Sequence, residues 1–134
     1  MTSACRRRRQ SGQETLQAVL VVAFMLLPVL FGIVELGGLI HVWIGQQAAA
    51  AAGARVAGQR GEDDATVRDR IAVELHATGL NPAQVQVTVS PTYVRWGQPI
   101  MVRVTSRRHL AIPFLFSRDL TLVSSYVGRG EVNH

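Results

Sequence analysis

From Ala18 to Ile44 the chain runs AVLVVAFMLLPVLFGIVELGGLIHVWI, and the twenty residues between Glu14 and Glu35 carry no charge, with Gln17 their only strongly polar side chain. Twenty helical residues at ~1.5 Å each cross the ~30 Å hydrocarbon core of a bilayer. A lone segment in lipid satisfies its own N–H and C=O groups only as a helix. The pattern therefore predicts a transmembrane helix with its span over about 18–40. The competing reading is the central helix of a soluble domain. Wrapping such a helix on every side needs more chain than the about 90 residues that follow Ile44.

The helical signal outlasts the apolar run. Next comes GQQAAAAAGARVAG, and alanine is the best helix former. Residues 13–58 are thus expected to form one rod of ~69 Å that leaves the membrane. Pro28 should kink the rod without ending it, and Trp43 suits the outer interface. Small residues recur at four-residue spacing, Ala49 with Gly53, Ala50 with Ala54 and Gly53 with Ala57, a pattern that lets helices approach closely. Glu35, in the outer part of the span, either sits in water at the membrane edge or meets a neighbouring subunit.

Beyond the rod the period changes. Residues 59–65, QRGEDDA, read as a polar linker. Residues 66–78 read as a second helix with Val67, Ile71 and Leu75 on one face. Its cap is either Thr66 with Asp69 or Asp64; Gly79 closes it, and Asn81-Pro82 turns the chain. Alternation then marks three strands. They are 84–90 with Val85, Val87 and Val89 on one face, 99–105 with Ile100, Val102 and Val104 inward and Met101, Arg103 and Thr105 outward, and 120–127. One buried and one wet face is the mark of an antiparallel sheet, with the second helix and the outer end of the rod as its cover. The apolar HLAIPFLF of 109–116 is expected as a loop packed on the sheet; the alternative is an exposed patch facing the membrane or a neighbour. The fold class is α+β: a single long N-terminal transmembrane helix, a short helix and a small antiparallel sheet. The expected organisation is a leader over 1–12, the rod over 13–58, a linker over 59–65 and a small extracytoplasmic domain over 66–134.

Charge orients this plan. The net charge is +5, and every base is arginine. Four of them, Arg6, Arg7, Arg8 and Arg9, stand just before the apolar run, and bases flanking a span stay cytoplasmic. The N-terminus is then inside and the small domain outside. A basic block abutting a span is a topology signal before it is a nucleic-acid arm, so no nucleic-acid partner is expected. The leader itself is polar and expected to be disordered, with Ser11-Gly12 separating it from the rod. Cys5 is the single cysteine, which excludes an intrachain disulfide and a thiolate metal site. His41, His76, His109 and His134 have no ligand spacing, and no nucleophile, base and acid group themselves along the chain. Glu62-Asp63-Asp64 reads as a solvated turn or helix cap, and Gly128-Arg129-Gly130 is no phosphate loop. No cofactor, metal site or catalytic activity is expected.

Taken together, the residues from Arg6 to Arg55 resemble the TadE-like family of pilus-assembly proteins. They show a basic leader, a glycine, an unbroken apolar helix, then GIVELGGL and QQAAAAAGAR. Gly32, Ile33, Val34, Glu35, Leu36 and Gly37 are similar to the family's G-I-x-E-F-G-like patch. Ala49, Ala50, Gly53, Ala54 and Arg55 are similar to its A-A-x-x-G-A-R patch. The resemblance implies a pilin-like, bitopic pseudopilin or assembly factor of a tight-adherence (Flp-type) pilus or related secretion machinery, in the cytoplasmic (inner) membrane. It implies other pilin-like subunits and inner-membrane platform proteins as partners, and homo- or hetero-oligomers formed through the long helix. It also implies cleavage by a prepilin peptidase between Gly12 and Gln13. The family's pilin-type signals usually carry Glu at the fifth mature residue; here that residue is Gln17. Two alternatives stand beside this reading: a signal-anchored extracytoplasmic interaction domain unrelated to pili, and a secreted protein cut near Ala48-Ala49-Ala50.

Overall fold

The computed structural model describes the backbone of residues 3–133 and the side chains of residues 12–133. Met1, Thr2 and His134 lie outside the described residues, as do the side chains of Cys5 and of Arg6 to Arg9. One helix, α1, runs from Ser3 to Arg60 over 58 residues, about 87 Å of rod. It passes through Ser11-Gly12, where a disordered leader was expected to end. Serine and glycine cost a helix interior about 1 kcal/mol or less each, and the helix formers on both sides carry the helix through. Pro28 also lies inside α1 without ending it. Gly61, at φ 75, ends the rod, its N–H donating to the Ala57 carbonyl at 2.8 Å.

Helix α2, Ala65–Ala77, is capped at both ends by its own sequence. Asp64 is the N-cap, its Oδ1 accepting from the Val67 N–H at 2.9 Å, so the Thr66–Asp69 box is not used. At the C-terminus the Leu80 N–H donates to the Leu75 carbonyl at 2.8 Å and the Gly79 N–H to the His76 carbonyl at 3.0 Å. This is the Schellman arrangement, and Gly79 supplies its positive φ of 73. The expected apolar face is buried: Val67, Ile71 and Leu75 are at most 1% exposed.

Three antiparallel strands follow in the order β1-β2-β3, with β1 Val85–Ser90, β2 Pro99–Ile112 and β3 Phe116–Arg129. The β1–β2 register runs from Val85↔Ser106 to Ser90↔Met101, and the β2–β3 register from Pro99↔Arg129 to Ile112↔Phe116. Strands β2 and β3 are each 14 residues long, against expected spans of 99–105 and 120–127. The extra length corrects the reading of 109–116 as a loop. His109–Ile112 extends β2, Phe116 opens β3, and only Pro113, Phe114 and Leu115 turn the chain. The Leu115 N–H donates to the Ile112 carbonyl at 3.1 Å, which puts Pro113 where its fixed φ suits a turn. Phe114 takes φ 66, a left-handed conformation that costs a non-glycine residue about 1–2 kcal/mol.

The core forms where the outer part of α1, α2 and one face of the sheet meet. Ile100, Val102 and Val104 of β2 face inward, as their alternation predicts, and are fully buried. The α1 residues buried on this side are Val42, Gly45, Gln46, Ala49, Ala50, Gly53, Ala54, Ala57 and Gly58, three or one apart in turn. That is a helical stripe built almost wholly of small side chains. Its glycines allow contact at backbone distance. A Cβ on Gly128 would lie 2.4 Å from the Ala54 carbonyl oxygen, and one on Gly58 2.4 Å from the Arg129 carbonyl oxygen. The segment 59–65 is no free linker: the Val94 N–H donates to the Gly61 carbonyl at 2.8 Å and the Asp63 N–H to the Thr92 carbonyl at 3.0 Å. Arg68 of α2 donates to the Val87 carbonyl of β1 at 3.0 Å and pairs with Asp63 at 2.6 Å.

Two measurements follow from these contacts. Gly128→Ala forces strand and helix apart at backbone atoms, and overpacking of this kind costs about 1–3 kcal/mol. The melting temperature of the full chain in detergent, read by circular dichroism, should fall, whereas Gly37→Ala, with nothing within 4 Å, should not lower it. The Val67 N–H holds the Asp64 carboxyl below its ordinary 3.8. A carboxyl lowered in the folded state stabilises above its unfolded value, and that contribution fades as pH drops through the folded one. Asp64→Ala should therefore melt lower than the parent at neutral pH, with the gap closing as pH falls below 3.8.

Candidate functional site

The stripe on α1 does not end where the small domain ends. Pro28, Gly32, Glu35 and Leu39 continue it from Val42 toward the N-terminus, three or four residues apart, and are half-buried while the residues between them are exposed. Their cover is the far half of the β2–β3 hairpin. Strand β1 pairs with β2 only as far as Ser106, so residues 107–121 form a two-stranded ribbon lying along α1. The Ile112 Cδ1 sits 3.7 Å from where a Gly32 Cβ would be, and the rings of Phe114 and Phe24 meet at 5.2 Å between centroids. Helix and ribbon thus form one continuous seam from Phe24 to Gly58.

At the middle of the seam lies an open cleft of about 270 Å³, lined by Glu35, Gly38, Leu39, His41 and Val42 of α1 and by Arg108 and His109 of β2. His41 Nε2 donates to the Thr78 carbonyl at 3.2 Å, tying α1 to the end of α2. Beside the cleft, Ser117 Oγ lies 2.9 Å from His109 Nε2, and His109 Nδ1 lies 2.6 Å from Asp119 Oδ1. Sequence reasoning did not find this Ser–His–Asp chain, because only the register His109↔Asp119 brings the three together. The connectivity is that of a hydrolytic triad, whose carboxylate is buried. Here the His109 and Asp119 side chains are 62% and 81% exposed. In water such contacts act as a cross-strand clamp on the ribbon.

Deeper in the seam is Gln46, fully buried, its Nε2 donating to Ser106 Oγ. Among the described residues Gln46 Oε1 and the buried Ser124 Oγ have no partner. A buried amide that finds one partner in one register is costly to shift, which pins α1 against β2.

The sequence-derived positions fall on this frame as follows. Gly32, Glu35, Ala49, Ala50, Gly53 and Ala54 lie on the seam, while Gly37 and Arg55 are exposed away from it. The small-residue stripe packs closely, as its spacing suggested, but within the chain. Ala49, Ala50 and Ala54 are 0% exposed beneath the sheet and α2, so a second helix has no access to that face. Gly12, Gln13 and Gln17 are exposed on α1. Among the described residues no group of three or more His, Cys, Asp or Glu could hold a metal ion.

Residues 12–55 match the family model of TadE-like proteins. The resemblance read from the motif patches is borne out over that segment. Comparison with curated proteins and with solved structures finds no match. The TadE-like segment takes in the apolar helix and most of the α1 side of the seam, and stops before α2 and the sheet. Its apolar part is long and apolar enough to cross a membrane, with none of its best 18-residue window buried.

The clamp has a measurable size. A double-mutant cycle on His109→Ala and Asp119→Ala, read by denaturant unfolding in detergent, should give a coupling of about 0.2–1 kcal/mol, the scale of a cross-strand pair.

Proposed function

We propose that this chain is a membrane-anchored pseudopilin or assembly factor of a tight-adherence (Flp-type) pilus, and that its work is structural rather than catalytic. The observation that carries the reading is the TadE-like match over 12–55, on a helix whose residues 18–34 are all apolar and, apart from Pro28 and Gly32, exposed. The chain sits in the cytoplasmic membrane with Arg6 to Arg9 inside and the α2–sheet domain outside. The partners of this reading are pilin-like subunits, inner-membrane platform proteins and the prepilin peptidase. With the small-residue stripe covered in cis, those subunits meet the opposite face of α1, where Gly37 and Arg55 lie.

The amide of Gln17 has the shape of the usual glutamate without its charge, so processing and filament entry separate cleanly in an experiment. The mass of the membrane-extracted protein is measured with and without the prepilin peptidase. A peptidase-dependent start at Gln13 is the expected result. An uncut chain retaining Arg6 to Arg9 would withdraw the filament role and leave a permanent anchor. Pili that persist in a strain lacking the gene would remove the pilus reading altogether.

A further inference from the structure

The TadE-like match accounts for α1 as a membrane span, but leaves unexplained why the β2–β3 ribbon reaches so far along it. Phe24 lies eleven residues before Glu35, ~16 Å along the helix axis. The ring of Phe114 packs on Phe24, and Ile112 reaches Gly32. Both contacts fall inside the uncharged part of α1. Any bilayer that surrounds α1 at Phe24 and Gly32 therefore also reaches the hairpin tip.

We propose that the tip of the β2–β3 hairpin, residues 110–116, is a second membrane contact that enters the bilayer from its outer side beside α1. The tip has the composition for it. Its sequence is Leu-Ala-Ile-Pro-Phe-Leu-Phe, and Phe114, Leu115 and Phe116 are 76%, 65% and 50% exposed. An apolar cluster this exposed on a turn has no use in water. Phe114 stands at a left-handed position that glycine or asparagine would occupy without strain, so an aromatic ring there serves something other than the turn.

The polar residues are ordered to match. Immediately above the tip come Arg107, Arg108 and His109 on β2, and Ser117, Arg118 and Asp119 on β3, level with Glu35 and His41 across the cleft. Three arginines against Asp119 and Glu35 leave this collar net positive, complementary to anionic headgroups. Apolar below and basic above is the pattern of an interfacial anchor.

The ribbon's backbone limits how it inserts. Beyond Ser106 neither outer edge of the ribbon is paired, and open sheet edges do not stand bare in hydrocarbon. The tip accordingly acts as a wedge. Its rings enter the acyl chains while headgroups and water follow its edges down, thinning the leaflet on that side of α1.

The test uses the full chain with Cys5→Ser, reconstituted in phosphatidylethanolamine–phosphatidylglycerol vesicles, with single nitroxide labels at Val22→Cys, Leu115→Cys and Ser125→Cys. Collision with oxygen, which concentrates in lipid, is compared with collision with a water-soluble nickel chelate. Expected is an oxygen-favouring signal at positions 22 and 115 and a nickel-favouring one at position 125, with Phe114→Gly shifting position 115 toward nickel without lowering the melting temperature. Nickel preference at 115 with oxygen preference at 22 would overturn the wedge while leaving the span intact. Protection of 115 from both reagents, with spin coupling between chains, would assign the tip to a second copy and equally overturn it. Nickel preference at 22 would instead remove the span itself.

Discussion

Two backbone contacts set the geometry of this molecule. The Ala54 carbonyl lies against the Cα of Gly128, and the Arg129 carbonyl against the Cα of Gly58, each so close that a single Cβ would not fit. Helix and strand meet there without side chains between them. That closeness lets a helix made of alanine and glycine bury the valines and isoleucine of β2, because a small-residue stripe offers little apolar surface unless its neighbours lie directly on it. The last turn of α1, the end of β3 and the 92–98 loop are then stitched together, with the Glu131 N–H donating to the Gly58 carbonyl and the Gly130 N–H to the Gln98 carbonyl, both at 2.8 Å.

One helix thereby carries two kinds of surface. Its outer third has a polar-facing side and a covered side, and water drives the sheet and α2 onto it. Its inner part is apolar on all sides, so the hydrophobic effect does not favour covering it when lipid is the medium. The cleft opens in the seam at Glu35, where charged side chains of helix and ribbon gather. Above that level the contact is a protein core. Toward the N-terminus the contact is the Ile112–Gly32 and Phe114–Phe24 pair.

The covered stripe also changes what association through α1 means. Spacing such as Ala49–Gly53 and Ala50–Ala54 suits two helices of different subunits as well as it suits a helix and a sheet. The sheet and α2 occupy it here, which leaves the outward side of α1 and the outer edges of β1 and β3 uncovered by strand pairing among the described residues. An anchor of this kind presents its domain at a set angle to the membrane, because helix and domain share one rigid element instead of a linker.

The sequence by itself determined everything whose cause is local. The twenty uncharged residues specified the span, Val67, Ile71 and Leu75 with Asp64 and Gly79 specified α2, and the alternation in 85–89 and 100–104 specified which strand faces turn inward. Each is a matter of period, capping or solubility within a few turns of chain. Tertiary structure alone decided the rest. HLAIPFLF has no alternation to announce a strand, and its first four residues continue β2 because Phe116 to Asp119 of β3 pair with them in register. Ser117, His109 and Asp119 come together only through that register. The alanine stripe is equally silent about its partner, since small side chains state how near a neighbour lies and not which neighbour it is. Closeness is written in residue size, while identity depends on where the chain returns.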